Sequence, residues 1–323
     1  MRVAVIDDWQ EVAQNCADWR PLASRAEIAF FTEPFDSEEA AAAALSGFQV
    51  ILPMRERTKF TRSLLERLPE LRLLALTGHG TGHVDTEYCA AHGIICCGSG
   101  AYSPAGTAEY TLALLLAAAR HIPHADAAMR AGRFQQHIPL GMVLEGKVLG
   151  VAGLGRIGAR VAAIGQALGM RVIGWSTNLT AERAASLGVE PVTKAELFAR
   201  SDAVTLHLVL SPRTHHVVGA AEIAAMKPGA ILVNTSRGPL IEEAPLLAAL
   251  REGRIRAALD VYDAEPLPPD HELRRLDHTV LSPHLGFCTE SSFAAFYGES
   301  IENIANWLDG RPSRVITEKP RAP

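Results

Sequence analysis

Glycines 153, 155 and 158 stand in the run K-V-L-G-V-A-G-L-G-R-I-G, the G-x-G-x-x-G spacing with which a chain cradles phosphate. The chemistry is geometric: Gly153 permits a tight turn, Gly155 lets backbone approach a pyrophosphate, and Gly158 lets helix and strand pack closely. The run follows a strand pattern (Val148–Ala152) and opens a helical segment, Arg156–Leu168, which Gly169 ends before a second strand, Arg171–Trp175. That context makes it a dinucleotide fingerprint, with the unpaired N–H groups of the helix start facing the anion. About twenty residues after the first glycine, such a unit normally presents an acid to the adenosine ribose. Here the strand ends Trp175-Ser176-Thr177-Asn178, without a carboxylate. Ser176 removes a barrier to a 2′-phosphate, yet no Arg or Lys adjoins it, Arg183 being nearest. NAD is the expected cofactor, and NADP stays open.

Three later segments carry polar side chains directly after strand patterns: N-T-S-R-G-P-L-I-E-E with Arg237, L-D-V-Y-D-A-E-P-L-P with Glu265, and L-S-P-H-L-G-F with His284. In an open parallel sheet the carboxyl ends of the strands form the ligand crevice, so the three can converge there. Singly, each is an ordinary surface or turn residue. Their shared position downstream of a nucleotide loop gives them interest.

The elements that must position them follow a rhythm. Strand patterns at Val3–Ile6, Ile28–Phe31, Val50–Leu52, Leu73–Leu76 and Ile94–Cys97 alternate with helical ones at Glu11–Ser24, Ser37–Leu45, Thr61–Leu68 and Thr86–His92. Tyr102-Ser103-Pro104 breaks the rhythm before a helix apolar nearly all round, Thr107–Arg120, and a looser stretch, His121–Glu145. Alternation then resumes through strand patterns at Ala203–His207, Ala230–Asn234, Arg256–Leu259 and Thr279–Leu281. A helix at Ser291–Leu308 and an irregular tail, Gly310–Pro323, follow. This βαβα pattern implies mainly parallel sheets covered by helices.

Composition fits that class. The 323 residues suggest about two domains, and 48% hydrophobic against 21% charged residues argues for globular folding. A net charge of −5 gives no footprint for nucleic acid. The apolar stretch Thr111–Ala119 is too short to cross a bilayer, and Asp7 and Asp8 make the N-terminal run a buried strand rather than a signal peptide. Five cysteines without disulfide spacing suit a reducing, cytoplasmic setting. Cys89, His92, Cys96 and Cys97 lie close together, but adjacent strand cysteines point to opposite faces and no metal is expected.

Together these segments resemble the D-isomer-specific 2-hydroxyacid dehydrogenase family, in a glyoxylate/hydroxypyruvate reductase-like or phosphoglycerate dehydrogenase-like member. The likeness adds T-G-H-G-T-G-H-V-D (Thr77–Asp85), A-E-Y-T-L-A-L-L-L-A-A-A-R (Ala108–Arg120) and H-L-V-L-S-P-R-T (His207–Thr214). It implies two doubly wound parallel-sheet α/β domains, with a Rossmann NAD(P)-binding domain (102–289) inserted in a flavodoxin-like substrate domain (1–101 with 290–323). The active site is then expected in the interdomain cleft, closing around hydride transfer between nicotinamide and C2 of a small D-2-hydroxy or 2-oxo acid.

The resemblance implies roles residue by residue. His284 is the acid/base, suited by an imidazole that exchanges its proton near neutrality. Glu265 is its partner, and Arg237 grips the substrate carboxylate with a planar fork. Arg55, Gly78, His79 and Gly80 are expected to contact substrate. The cofactor is expected at Gly153, Gly155, Arg156, Ile157 and Gly158, at Ser176, Thr177 and Asn178, and at His207, Leu208 and Thr214. Thr107, Thr235, Ser236, Asp260 and Gly286 complete its contacts. A homodimer through the nucleotide domain is implied, without nucleic acid or membrane partners. Against the family pattern, His83 stands for a usual Asn, Phe134 for a frequent Trp, and Phe287 for a small residue. The alternative is a catalytically silent NAD(H)-sensing protein on the same fold, which would have no need of Arg237, Glu265 and His284.

Overall fold

Short runs rich in Val, Ile, Leu and Ala, bounded by polar turns, form twelve strands among the described residues, and every pairing between them is parallel. The computed structural model describes residues 1–100 and 103–317. The break expected at Tyr102, the boundary expected between residues 101 and 102, and the tail from 318 onward lie outside the described residues.

The chain begins with β1 (Arg2–Ile6), α1 (Ala13–Cys16), α2 (Arg20–Ala23), β2 (Glu27–Phe30), α3 (Glu38–Leu45) and β3 (Val50–Pro53). It continues through α4 (Arg62–Glu66), β4 (Leu73–Ala75), α5 (Thr86–Ala91) and β5 (Ile95–Cys97). Next come α6 (Ala105–Arg120), α7 (Ile122–Arg130), β6 (Val148–Ala152), α8 (Arg156–Ala167), β7 (Arg171–Trp175), α9 (Ala181–Ser186) and β8 (Glu190–Pro191). Then α10 (Lys194–Arg200), β9 (Ala203–Leu206), α11 (Ala220–Ala225), β10 (Ile231–Asn234), α12 (Glu243–Arg251), β11 (Arg256–Leu259), β12 (Thr279–Leu281) and α13 (Glu290–Leu308) complete it.

The chain divides into two compact units, Met1–Ser103 with Cys288–Pro323, and Pro104–Phe287. In the discontinuous unit the strands lie in the order β2-β1-β3-β4-β5, so the winding reverses between β1 and β3. Helix α13 supplies its last core face, with Phe293, Phe296, Tyr297, Ile301 and Ile304 buried. In the continuous unit the order is β12-β11-β10-β9-β6-β7-β8, reversing between β6 and β9. Its central strands bury both faces, as parallel strands sandwiched by helices must. On β6, Val148 and Ala152 enter one core and Leu149 and Val151 the other.

Three local expectations change. The helix expected at Glu11–Ser24 is two short ones, because Pro21 cannot sit inside a continuous helix and instead occupies the first turn of α2. The looser stretch His121–Glu145 contains α7. Pro123 starts that helix rather than breaking one, after His121 turns left-handed at φ +55° to end α6. The tail expected to be irregular bridges β5: Val315 pairs antiparallel with Cys97, and Ile316 N–H donates to Cys96 O at 2.7 Å. No described helix is long and apolar enough to cross a membrane.

Candidate functional site

The glycine loop sits where the larger sheet reverses. Gly153, at φ +98°, follows β6, and a Cβ there would run into the backbone of His207, which follows β9. A Cβ on Gly158 would overlap the carbonyl of Gly153, so only glycine lets α8 start this close to the turn. Gly155 differs: it is the N-cap of α8, provides no side-chain cap, and a Cβ there meets no heavy atom within 4 Å. Arg156 is exposed on the first turn, with Ile157 partly buried beside it. The α8 N-terminus, without a side-chain cap, therefore opens onto free space at Gly155.

Around that opening, Ser176 is half-buried at the end of β7, while Thr177 and Asn178 are exposed. His207 is half-buried as a residue, but both ring nitrogens are buried without a hydrogen-bond partner. Burial drives its imidazole down to about 3, so the ring is neutral. Leu208 packs against the core. The Thr214 hydroxyl closes its own loop, donating to Val209 O at 2.7 Å and accepting from Ser211 N–H at 2.8 Å.

Arg237, Glu265 and His284 follow the neighbouring strands β10, β11 and β12. His284 Nδ1 lies 2.6 Å from Glu265 Oε2, and Glu265 Oε1 accepts the N–H of Tyr262 at 2.9 Å. The carboxylate is thus fixed at one oxygen and orients imidazole with the other. Phe287 meets the His284 ring edge-on, with centroids 5.7 Å apart. Arg237 lies on a turn braced by Asn234, whose side chain accepts from Ser236 N–H at 3.0 Å and donates to Arg237 O at 2.8 Å. The Ser236 hydroxyl donates to Leu206 O, and the Thr235 hydroxyl meets that of Thr111 at 2.8 Å. Gly238 rests directly on the Tyr262–Asp263 backbone, where no Cβ fits, locking the Arg237 turn to the Glu265 segment. Asp260 and Gly286 join in one contact, Gly286 N–H to Asp260 Oδ2 at 2.8 Å, and Thr107 is buried in the first turn of α6.

In the discontinuous unit, the residues expected to contact substrate gather after β3 and β4. Arg55, at φ +59°, donates its backbone N–H to Thr77 Oγ1 at 2.6 Å and its Nη1–H to Thr77 O at 2.9 Å. Gly78 is buried at φ +131° with no room for a Cβ beside the Arg55 guanidinium, and His79 and Gly80 are exposed. Cys96 and Cys97 are both buried in β5, and no group of three or more metal-ligating side chains occurs among the described residues.

A family profile described as D-isomer specific 2-hydroxyacid dehydrogenase, NAD binding domain, matches residues 112–286. The D-3-phosphoglycerate dehydrogenase of Methanocaldococcus jannaschii is 41% identical over 84% of this chain and 52% of its own length. The glyoxylate reductase of Aeropyrum pernix is 39% identical over 79% of each chain. The chain belongs to the D-isomer specific 2-hydroxyacid dehydrogenase family. A solved phosphoglycerate oxidoreductase from Vibrio cholerae superposes with a TM-score of 0.91 at 33% identity, covering 96% of this chain and 99% of the other. This dehydrogenase-family chain spans about half the length of the archaeal phosphoglycerate dehydrogenases that it matches.

The nucleotide crevice of this family member fits NAD: the uncapped helix start, the empty space at Gly155 and the orphaned His207 ring all lie at the strand-order reversal. Sequence reading missed Asn234 and Tyr262, which hold the three candidate side chains in place. Asn234 had a signal, since an Asn ending a strand before Ser-Arg-Gly is a turn-bracing residue. Tyr262 had none.

Proposed function

We propose that the chain catalyses hydride transfer between NAD(H) and C2 of a small D-2-hydroxy or 2-oxo acid. The observation that supports this most is the His284–Glu265 pair at 2.6 Å, downstream of a nucleotide loop in the same unit. With its Nδ1–H held on the carboxylate, His284 exchanges protons through Nε2. In reduction, the bound nicotinamide supplies hydride to C2. His284 Nε2 gives its proton to the carbonyl oxygen, and the imidazolium returns to neutral imidazole; oxidation reverses both. Glu265 stabilises the positive charge that the ring carries as an acid. Arg237 binds the substrate carboxylate through its fork, with Arg55, Gly78, His79 and Gly80 as further substrate contacts. Thr107, Arg156, Ile157, Ser176, Thr177, Asn178, His207, Leu208, Thr214, Thr235, Ser236, Asp260 and Gly286 are assigned to the cofactor side.

Glyoxylate and hydroxypyruvate are the preferred substrate candidates. The experiment follows nicotinamide absorbance during reduction of glyoxylate, hydroxypyruvate, pyruvate and phenylpyruvate, with NADH and NADPH in parallel. Turnover that drops at least ~100-fold in His284→Ala supports the reading. NADH binding without turnover of any acid overturns it in favour of a sensor. A dimer through the larger unit is supported by exposed apolar side chains at Leu116, Ile122, Met129, Phe134, Leu140 and Val143. Light scattering at micromolar chain tests it. Five free cysteines support a cytoplasmic setting.

A further inference from the structure

His284 lies at φ +57°, a left-handed conformation that a non-glycine residue holds only when its surroundings impose it. The loop that carries it is tied at three points to one buried carboxylate. Asp260 Oδ1 accepts the Ser282 hydroxyl at 2.6 Å and the Leu285 N–H at 2.8 Å, while Oδ2 accepts the Gly286 N–H at 2.8 Å. Asp260 is 1% exposed. A Cβ on Gly286 would stand 3.0 Å from Asp260 Oδ2, closer than ordinary van der Waals contact, so glycine eases this approach. Ser282 gives its only proton to Asp260, so at 2.6 Å it accepts the phenolic proton of Tyr110. Tyr110 belongs to α6, on the far side of the sequence from this loop. The next residue of α6, Thr111, meets Thr235 at the base of the Arg237 turn.

We infer that Tyr110, Ser282 and Asp260 form a positioning chain that sets His284 for proton transfer, with α6 aligning the His284 loop and the Arg237 turn through the adjacent residues Tyr110 and Thr111. The role rests on the proposed reaction. The hydrogen-bond chain does not. Three engagements use most of the Asp260 carboxylate's capacity of about four lone pairs, which leaves room for one further contact on the cofactor side. Burial raises the Asp260 carboxyl, and the three donors together with nearby His284 pull it back toward the ionised form that the staple needs.

The test compares Ser282→Ala, Tyr110→Phe, their combination and Ser282→Thr in the full chain. Ser282→Ala is expected to lower kcat for 2-oxoacid reduction ~10-fold, the size of one lost hydrogen bond to a charged group, and Tyr110→Phe ~3-fold, the size of a neutral one. KM and the NADH Kd stay within about twofold, as a positioning role requires. The combination is no worse than the poorer single variant, and Ser282→Thr retains most of kcat. In the chain without cofactor, hydrogen exchange at the Leu285 and Gly286 amides speeds up ~10-fold in Ser282→Ala, while the β11 amides keep their rates. Unchanged exchange overturns the staple whatever the enzyme turns over. Faster exchange with unchanged kcat, or a loss that follows the NADH Kd, overturns the positioning of His284. A wild-type chain that reduces no 2-oxoacid overturns the reaction assignment and with it the proton-transfer role, leaving the exchange result to judge the hydrogen bonds alone.

Discussion

Replacing Gly155 by Ala separates cofactor binding from folding. The residue is the N-cap of α8 at φ −74°, open to any side chain, and its Cβ would meet no heavy atom within 4 Å. Losing a glycine cap costs about 0.5–1 kcal/mol, and stiffening the unfolded chain returns about 0.4–1 kcal/mol, so stability hardly moves. The space filled by the new methyl is the space a pyrophosphate needs. A methyl group is about 2 Å in radius, so a phosphate hydrogen-bonded at about 2.9 Å must retreat, losing one or two charge-assisted bonds of about 1.5–3 kcal/mol each. At 1.4 kcal/mol per tenfold, NADH binding weakens ~10- to 20,000-fold. Gly158→Ala is the contrast: its Cβ overlaps the Gly153 carbonyl, so this variant loses stability as well. NADH fluorescence titration and urea unfolding of the chain without cofactor read the two effects separately. A Gly155→Ala chain that binds NADH like the wild type, or unfolds as readily as Gly158→Ala, would refute the reasoning.

Glu265→Gln keeps the shape beside His284 but removes its charge; reduction is expected to slow ~10- to 100-fold with NADH affinity retained, as measured by steady-state kinetics and titration. Arg237→Lys gives up the planar fork, and the KM for the 2-oxoacid is expected to rise at least ~10-fold. Asp7 offers a pH prediction: burial raises its carboxyl from 3.8 to about 6, against the Thr58 hydroxyl and Arg57. The folded chain therefore holds that proton more tightly than the unfolded one, so ionised Asp7 costs about 3 kcal/mol above pH 6, a cost that disappears as pH falls toward 3.8. Asp7→Asn, which tolerates the left-handed φ of +64°, is expected to be about 2–3 kcal/mol more stable than the wild type at pH 7.5. The difference closes by pH 4; an advantage that persists there in urea unfolding contradicts the burial argument.

Much of the fold was legible because local chemistry and tertiary structure agree. Ser37 and Thr61 cap the helices they were read to start, and the β6–loop–α8–β7 passage follows the glycine spacing. Pro123 misled because proline breaks a helix interior yet begins a helix equally well, and only the preceding turn decides which. Two-residue β8 is too short to carry a periodicity. At the candidate site, the residues that carry the chemistry were recognisable by type and by their place after strands. The residues that hold them were not. Tyr110 and Ser282 are 172 residues apart, and nothing in either neighbourhood announces the other. Asp260 was read as a cofactor contact from its resemblance to the family motif, and the hydrogen bonds it makes to the His284 loop had no signal in its neighbourhood.

The discontinuous unit also sets an order of events during synthesis. Its sheet is complete in sequence by β5, but the helix that seals it, α13, is translated only after the roughly 180 residues of the other unit. At about 5–20 residues per second, the ribosome needs about 10–40 s to cover that distance. Throughout that interval Trp19 lacks its Tyr297 neighbour, Asp8 lacks the Tyr297 hydroxyl, and Gly98 O lacks the side chain of Asn303. The larger unit, continuous in sequence, has no such wait. The half made first is therefore the half finished last, and until α13 emerges the apolar face that it seals stays open.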